Sequence, residues 1–373
     1  MAPVVTYAAQ PGLFLTQNWI SAIALDPAGN VVVAGGTCAS DFSMANPAQG
    51  SSAGKADAFA AVISADGSRL TYSTYIGGSQ DDGALAVATD AQGNVILAGQ
   101  TWSYADFPVP GGVRPPAGQL GDVFVTKLAP PAAPLIASVV NAASLQPGIE
   151  AGSWVTIRGT NLSNINPGRT WRTDEVVNGN LPTSLDGVSV TIDGKPAFVY
   201  YISPAQINVQ APSDAVLGPV NVVVTNNGAS SAPATAQLQA FAPAFFQYPG
   251  ANYATASRLP DYAAVADPAA IPGTVAAKPG DLVVLWGTGF GATNPPTPAG
   301  TVVSGAPVVV TAPTVMVGGV AAQVLSTVLT TGCAGLYQVT IRIPEAAPAG
   351  AVAVQATVGG VRTADGVLLF VGR

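Results

Sequence analysis

Two stretches of this chain each occur twice within it, and this self-similarity restricts the fold more than any other feature. Residues 22–35 (AIALDPAGNVVVAG) return as residues 86–99 (AVATDAQGNVILAG), 64 positions later. Ser40-Asp41-Phe42 then matches Ala105-Asp106-Phe107, and Asp57-Ala58-Phe59 matches Asp122-Val123-Phe124. Further on, residues 152–161 (GSWVTIRGTN) return as residues 280–289 (GDLVVLWGTG), 128 positions later. Val190–Gly194 corresponds to Val315–Gly319, and Gln206–Pro212 to Gln338–Pro344. A short repeat of strand, turn and strand cannot bury both its faces alone, so it needs neighbours of its own kind.

The repeats are built for strands. The chain holds 42 Gly and 32 Pro among 373 residues, and Pro costs a helix interior about 3 kcal/mol. Between these breakers lie short runs rich in Val, Ile and Thr, which suit strands. In each N-terminal repeat an Asp-x-x-Gly-Asn segment separates two such runs. Its Asp can close an Asx-turn and its Gly accepts φ > 0. The longer C-terminal repeat, about a hundred residues of strands punctuated by Gly, Pro and Asn, reads as an immunoglobulin-like sandwich. The expected fold class is therefore all-β: β-propeller blades or a β-solenoid from the N-terminal repeat, followed by two immunoglobulin-like β-sandwich units.

Tyr72-Ser73-Thr74-Tyr75-Ile76-Gly77-Gly78-Ser79-Gln80-Asp81-Asp82, with residues 86–101 and 122–128, resembles the bacterial SBBP β-propeller repeat over about residues 5–128. Thr6-Tyr7 resembles the tail of a preceding unit. Residues 138–144 (SVVNAAS), 181–190 (LPTSLDGVSV), 201–208 (YISPAQIN) and Gly335–Val339 (GLYQV) resemble an uncharacterised C-terminal domain of exported acidobacterial proteins, similar to tandem IPT/TIG folds. That likeness covers about residues 135–373 and implies export but no mechanism. The stretch Tyr253–Ser257 lacks the histidine that the resemblance leads one to expect. The expected organisation is a partial propeller at 1–128, a Pro-rich linker at 129–134, and sandwiches at 135–245 and 246–373.

Composition excludes several functions. The net charge is −7, with charged residues at only 9%, and nucleic-acid binding needs clustered Lys and Arg. No apolar run reaches the roughly 18 residues of a membrane helix. The N-terminus lacks the basic and apolar regions of a signal peptide, so the expectation is a part of a longer exported protein, outside the cell or on its surface. The chain has no histidine, which removes the commonest general base, triad partner and metal ligand. Gly50-Ser51-Ser52-Ala53-Gly54 matches a nucleophile elbow only formally, since it lies in a loop and has no His partner. Gly287-Thr288-Gly289-Phe290-Gly291 follows a strand as a dinucleotide loop does, but the Pro-rich residues after it cannot start the required helix. Cys38 and Cys333 form no C-x-x-C pair, so zinc and thioredoxin-type chemistry lack support, and a disulfide between them is not expected.

Two sets of residues remain as candidates. Asp26, Asp41, Asp81, Asp82, Asp90 and Asp106 recur at equivalent loop positions, where they could supply hard oxygen ligands to Ca²⁺ or simply close turns. Trp171, with Arg169 and Arg172, stands in a polar loop as a candidate ligand contact. Such an aromatic could stack on a sugar or anchor a protein, or fold back over its own sandwich edge. Trp154 and Trp286 lie in strands and are expected in packing. The functional expectation is a non-catalytic extracellular module for adhesion or ligand binding, its partner a glycan or a protein. The alternatives are a carbohydrate-binding accessory to polysaccharide degradation and, behind it, a hydrolase using propeller carboxylates. An incomplete propeller also leaves an open edge strand prone to self-association.

Overall fold

The computed structural model describes residues 18–109, 112, 121–130, 133–214 and 216–373. Thr6-Tyr7 and, within the linker, Pro131-Ala132 lie outside the described residues. The fold is all-β. Among the described residues its helical content is a single 3₁₀ turn at Thr173–Glu175. The chain divides into two compact units, one running to Ala133 with Asn227–Ser230, the other comprising Pro134–Asn226 and Ser231–Arg373.

In the first unit, β1 (Trp19–Leu25), β2 (Val31–Thr37), β3 (Asp57–Ile63) and β4 (Leu70–Ile76) form one antiparallel sheet in chain order. β5 (Asp82–Thr89), β6 (Val95–Thr101) and β7 (Asp122–Leu128) form a second. The repeat explains both. Asp26 Oδ1 accepts from the amides of Ala28 (2.9 Å) and Asn30 (2.8 Å), and Asp90 Oδ1 does the same with Gln92 (3.0 Å) and Asn94 (2.9 Å). Gly29 and Gly93 follow at φ 81° and 80°, where a side chain is disfavoured. Phe42 packs on Phe59 with ring centroids 4.8 Å apart, and their repeat counterparts Phe107 and Phe124 pack at 4.7 Å. Val32, Ala34, Ala60, Leu97 and Phe124 share one core between the sheets. Among the described residues these are two open meanders, and closure into a propeller is not seen.

The second unit begins with β8 (Leu135–Asn141), β9 (Ile149–Glu150), β10 (Trp154–Thr160) and β11 (Arg169–Thr170). A five-stranded sheet runs β11, Phe198–Ile202, Gln206–Gln210, β10, β8. The facing sheet contains Val188–Ile192, Gly218–Asn226, Ala234–Gln239 and β9. Period-two alternation sends Val155, Ile157, Ile207 and Val209 inward, where they are fully buried with Val190 and Val222. This is the expected sandwich. The residues after it repeat the plan with one difference. Val320–Leu329 is a single ten-residue strand that pairs first with Thr314–Val317 and then with Tyr337–Arg342, so the sheets merge. In the first copy the same run is cut into Lys195–Pro196 and Phe198–Ile202, which pair in different sheets. Pro196 stands where the second copy has Ala321, and a proline cannot donate to a ladder.

Candidate functional site

Alternation sends one face of the five-stranded sheet into the core and gives the other its polar side chains, of which Thr156 and Gln210 are themselves buried. On β10 that face carries Trp154, Thr156 and Arg158, and directly opposite stand Gln210, Asn208 and Gln206. Asn208 Oδ1 accepts from Thr156 Oγ1 at 3.0 Å and Gln206 Nε2 at 2.9 Å. Gln210 is held at both ends: its amide donates to the Gly152 carbonyl (2.8 Å) and accepts from Gly300 N–H (2.9 Å). The face is thus a polar ladder of fixed side chains.

Aromatic rings border it. A β-bulge between Val199 and Tyr201 leaves Tyr200 unpaired in the register, and bulges re-aim side chains. Tyr200 meets Trp171 edge-on at 4.7 Å and Trp154 at 5.5 Å, and the two indoles are 6.1 Å apart. Trp154 Nε1 donates to the Ala334 carbonyl at 2.9 Å. Tyr200 is exposed, while Trp154 and Trp171 are half-buried, with Trp171 packed on the sandwich core.

The loop bearing Trp171 is locked by charge. Arg169 donates to both oxygens of Glu175 (2.8 Å each) and both of Asp186 (2.5 and 2.9 Å). Glu175 also accepts from the Arg172 amide at 2.7 Å. Arg169 holds the Glu175 carboxyl down at about 2 and lowers Asp186 too, and the two carboxylates raise the guanidinium in return. Of the three candidates read from sequence, Trp171 and Arg172 face solvent in part and Arg169 positions the loop. Arg172 is the exposed cation, its side chain 66% accessible beside Asp174 and Glu175.

Sequence reasoning passes over Glu150. It lies buried on β9 and accepts from the amides of Ala242 (3.0 Å) and Gly291 (2.9 Å), 92 and 141 residues away. Burial pushes its carboxyl up to about 7 against the lowering effect of those two amides. Above it is a cleft of about 280 Å³ lined by Glu150, Gln210, Ser213, Thr293, Thr301 and Tyr337 among others. Tyr337 Oη donates to the Gly291 carbonyl at 2.6 Å, and burial followed by the nearby Glu150 raises its phenol. Only long-range pairing could have revealed Glu150, because its own neighbourhood in sequence carries no motif.

Four of the six recurrent aspartates, Asp26, Asp82, Asp90 and Asp106, are tied into turns and loops by their carboxylates. Asp26 and Asp90 close their turns, and Lys127 pairs with Asp90 at 2.7 Å. Asp106 accepts from Ser79 N–H (3.0 Å), and buried Asp82 accepts from Gly78 N–H and Ser103 Oγ (2.8 Å each). Buried Asp57 accepts from Ala53 N–H at 2.8 Å, in the loop that carries the Gly50–Gly54 segment. Desolvation raises both Asp57 and Asp82, with mutual repulsion adding to Asp57. Among the described residues no three acidic, Cys or His side chains converge as metal ligands. Gly287–Gly291 leads to a short strand at Thr293–Asn294, not a helix. Tyr253 is buried just ahead of the strand Ala256–Leu259. Trp286 donates to Ser257 Oγ at 3.1 Å. Neither Cys38 nor Cys333 is in a disulfide.

Residues 141–240 match a family model described as the IPT/TIG domain. A search of curated proteins finds no match. Among solved structures, SGBP-B from a complex xyloglucan utilization locus in Bacteroides uniformis is 16% identical over 63% of this chain and 49% of that one, with a TM-score of 0.19. SGBP-B of the Bacteroides ovatus mixed-linkage glucan utilization locus, in complex with a mixed-linkage heptasaccharide, is 10% identical over 100% and 69%, with a TM-score of 0.28. The titin Ig tandem domains A164-A165 are 14% identical over 64% and 95%, with a TM-score of 0.17. The chain spans 49%, 36% and 18% of the first three solved chains it matches. No helix of the described residues is long and apolar enough to cross a membrane.

Proposed function

We propose that this chain is a non-catalytic glycan-binding module, in which Trp171, Tyr200 and Trp154 stack on sugar rings and Arg172 and the Gln206–Asn208 ladder meet the hydroxyls. One observation carries the reading. The second copy of the fold does without an aromatic at two of these three positions. Register places Leu282 at the position of Trp154 in the second copy, and Leu325, also at a bulge, at the position of Tyr200. A sandwich that folds with leucine at both positions has no packing demand for Trp and Tyr. Their rings supply flat apolar area with a polar tip, which suits a ligand that is apolar on its ring face and polar at its edge. The four hydrogen bonds from Arg169 fix the loop in advance, which reduces the ordering cost of binding. The net charge of −7 favours neutral over anionic glycans.

The remaining organisation belongs to the same reading. The two meanders serve as SBBP-type propeller blades, the segments 135–245 and 246–373 as tandem sandwiches, and the whole as part of an exported or surface protein. An array of neutral polysaccharides tests the function. Binding that falls at least tenfold in Trp171→Ala, with an unchanged fold by circular dichroism, supports it. An empty array, or binding indifferent to Trp171→Ala and Tyr200→Ala, rejects it and leaves a protein partner as the reading to test.

A further inference from the structure

Two buried carboxylates of the first unit each keep an oxygen that bonds to nothing. Asp57 is fully buried and Asp82 is 3% exposed. Asp57 Oδ2 accepts from Ala53 N–H, and Asp82 Oδ2 from Gly78 N–H and Ser103 Oγ. Oδ1 of each is buried and has no hydrogen-bond partner. Both acids close on Gly77, where an added Cβ would strike Asp57 Oδ1 and come within 2.9 Å of Asp82 Oδ2. Among the described residues no Lys or Arg acts on either carboxyl. The groups that do are hydroxyls, backbone amides and, on Asp57, Asp82 itself. Two neighbouring acids held out of water with neither a cation nor a full set of hydrogen bonds are costly to keep.

The repeat shows the same strand end made without the second acid. Asp82 corresponds to Asn18, 64 positions earlier. Asn18 Oδ1 accepts from Thr37 Oγ1 (2.6 Å) and Cys38 N–H (3.2 Å). The counterparts of that pair, Thr101 and the Trp102 amide, lie against Asp82. Where the position is exposed it holds a neutral amide, and where it is buried beside Asp57 it holds an acid.

We propose that Asp57 and Asp82 bind one calcium ion between them. Two carboxylates balance a divalent charge, whereas one shared proton would leave a negative charge buried. The available donors are hard oxygens, since the Ser52 and Thr101 hydroxyls lie close to the two acids. Calcium takes roughly six to eight such ligands in a flexible geometry and completes the set with water, so two carboxylates suffice without a third acidic side chain. The loop that carries Ser52 and Ala53 is largely exposed and supplies the way in.

Calorimetric titration and thermal melts of the full chain, stripped with EGTA, test this. Calcium binds the wild type, and millimolar calcium raises its melting midpoint by about 5 °C. Magnesium, which demands a tighter octahedral site, gives a smaller shift. Asp82→Asn installs the residue of the other repeat. It loses both the calcium heat and the shift, and without calcium it melts above the stripped wild type at pH 8. Asp57→Asn loses the calcium response in the same way, so either variant that folds by circular dichroism carries the test. A wild type that neither takes up calcium nor melts higher with it overturns the proposal. So does a folded variant that still binds calcium as the wild type does, or a shift matched by sodium chloride of equal ionic strength, which would be screening alone.

Discussion

Arg169 directs hydrogen bonds into two carboxylates at once, and the conformation of the Trp171 loop rests on that clamp. A lysine keeps the charge but not the planar fork, so it can satisfy only part of the geometry. Arg169→Lys should lower stability by about 1–2 kcal/mol, read as a shift in urea midpoint. It should also loosen Trp171 from the sandwich and shift its fluorescence to the red. An unchanged spectrum would show that packing on Trp154 and Tyr200 holds the loop unaided. Sequence points to Trp171, Arg169 and Arg172 together because they sit in one polar loop. It cannot separate their roles, because Asp186 is seventeen positions from Arg169 and nothing local marks it as the partner.

At the scale of elements, the repeat makes the turns legible. Asp26 with Gly29 and Asp90 with Gly93 adopt the same geometry because turn chemistry is local. A Cβ added at Gly93 would meet nothing within 4 Å, so Gly93→Ala isolates the conformational cost of φ > 0. That cost is about 1 kcal/mol, and a thermal melt should fall accordingly, while Gly93→Asn should lose less because Asn tolerates this region. Other choices are not local. The repeat offset carries β4 onto Leu135–Asn141, where a fourth strand of the second meander would fall. That segment is β8 and pairs with β10 instead. Likewise Pro196 splits one strand and Ala321 keeps its counterpart whole, a difference that emerges only once the two copies are placed in register.

For the second unit as a whole, Glu150 joins residues far apart in the chain, and its titration should be felt in global stability. Its carboxyl is raised from 4.5 to about 7 by burial. The folded state therefore holds a proton that the unfolded chain releases between those values. Stability from this group is fully present below pH 4.5 and declines as pH rises to about 7, with nothing further lost above. A shift of this size corresponds to about 3 kcal/mol. Glu175 acts in a separate window, since its carboxyl is lowered to about 2 and its contribution fades only as pH falls below 4.5. Urea unfolding at pH 4.5, 6 and 8 should thus give the lowest midpoint at pH 8, measured at low protein concentration because the pI is near 4.4. Glu150→Gln cannot ionise and still offers one acceptor to the amides of Ala242 and Gly291. It should flatten the profile between pH 4.5 and 7 and leave the acid limb in place. A wild-type profile that rises across that interval would mean that the two amide donors outweigh burial and keep Glu150 charged in the folded protein.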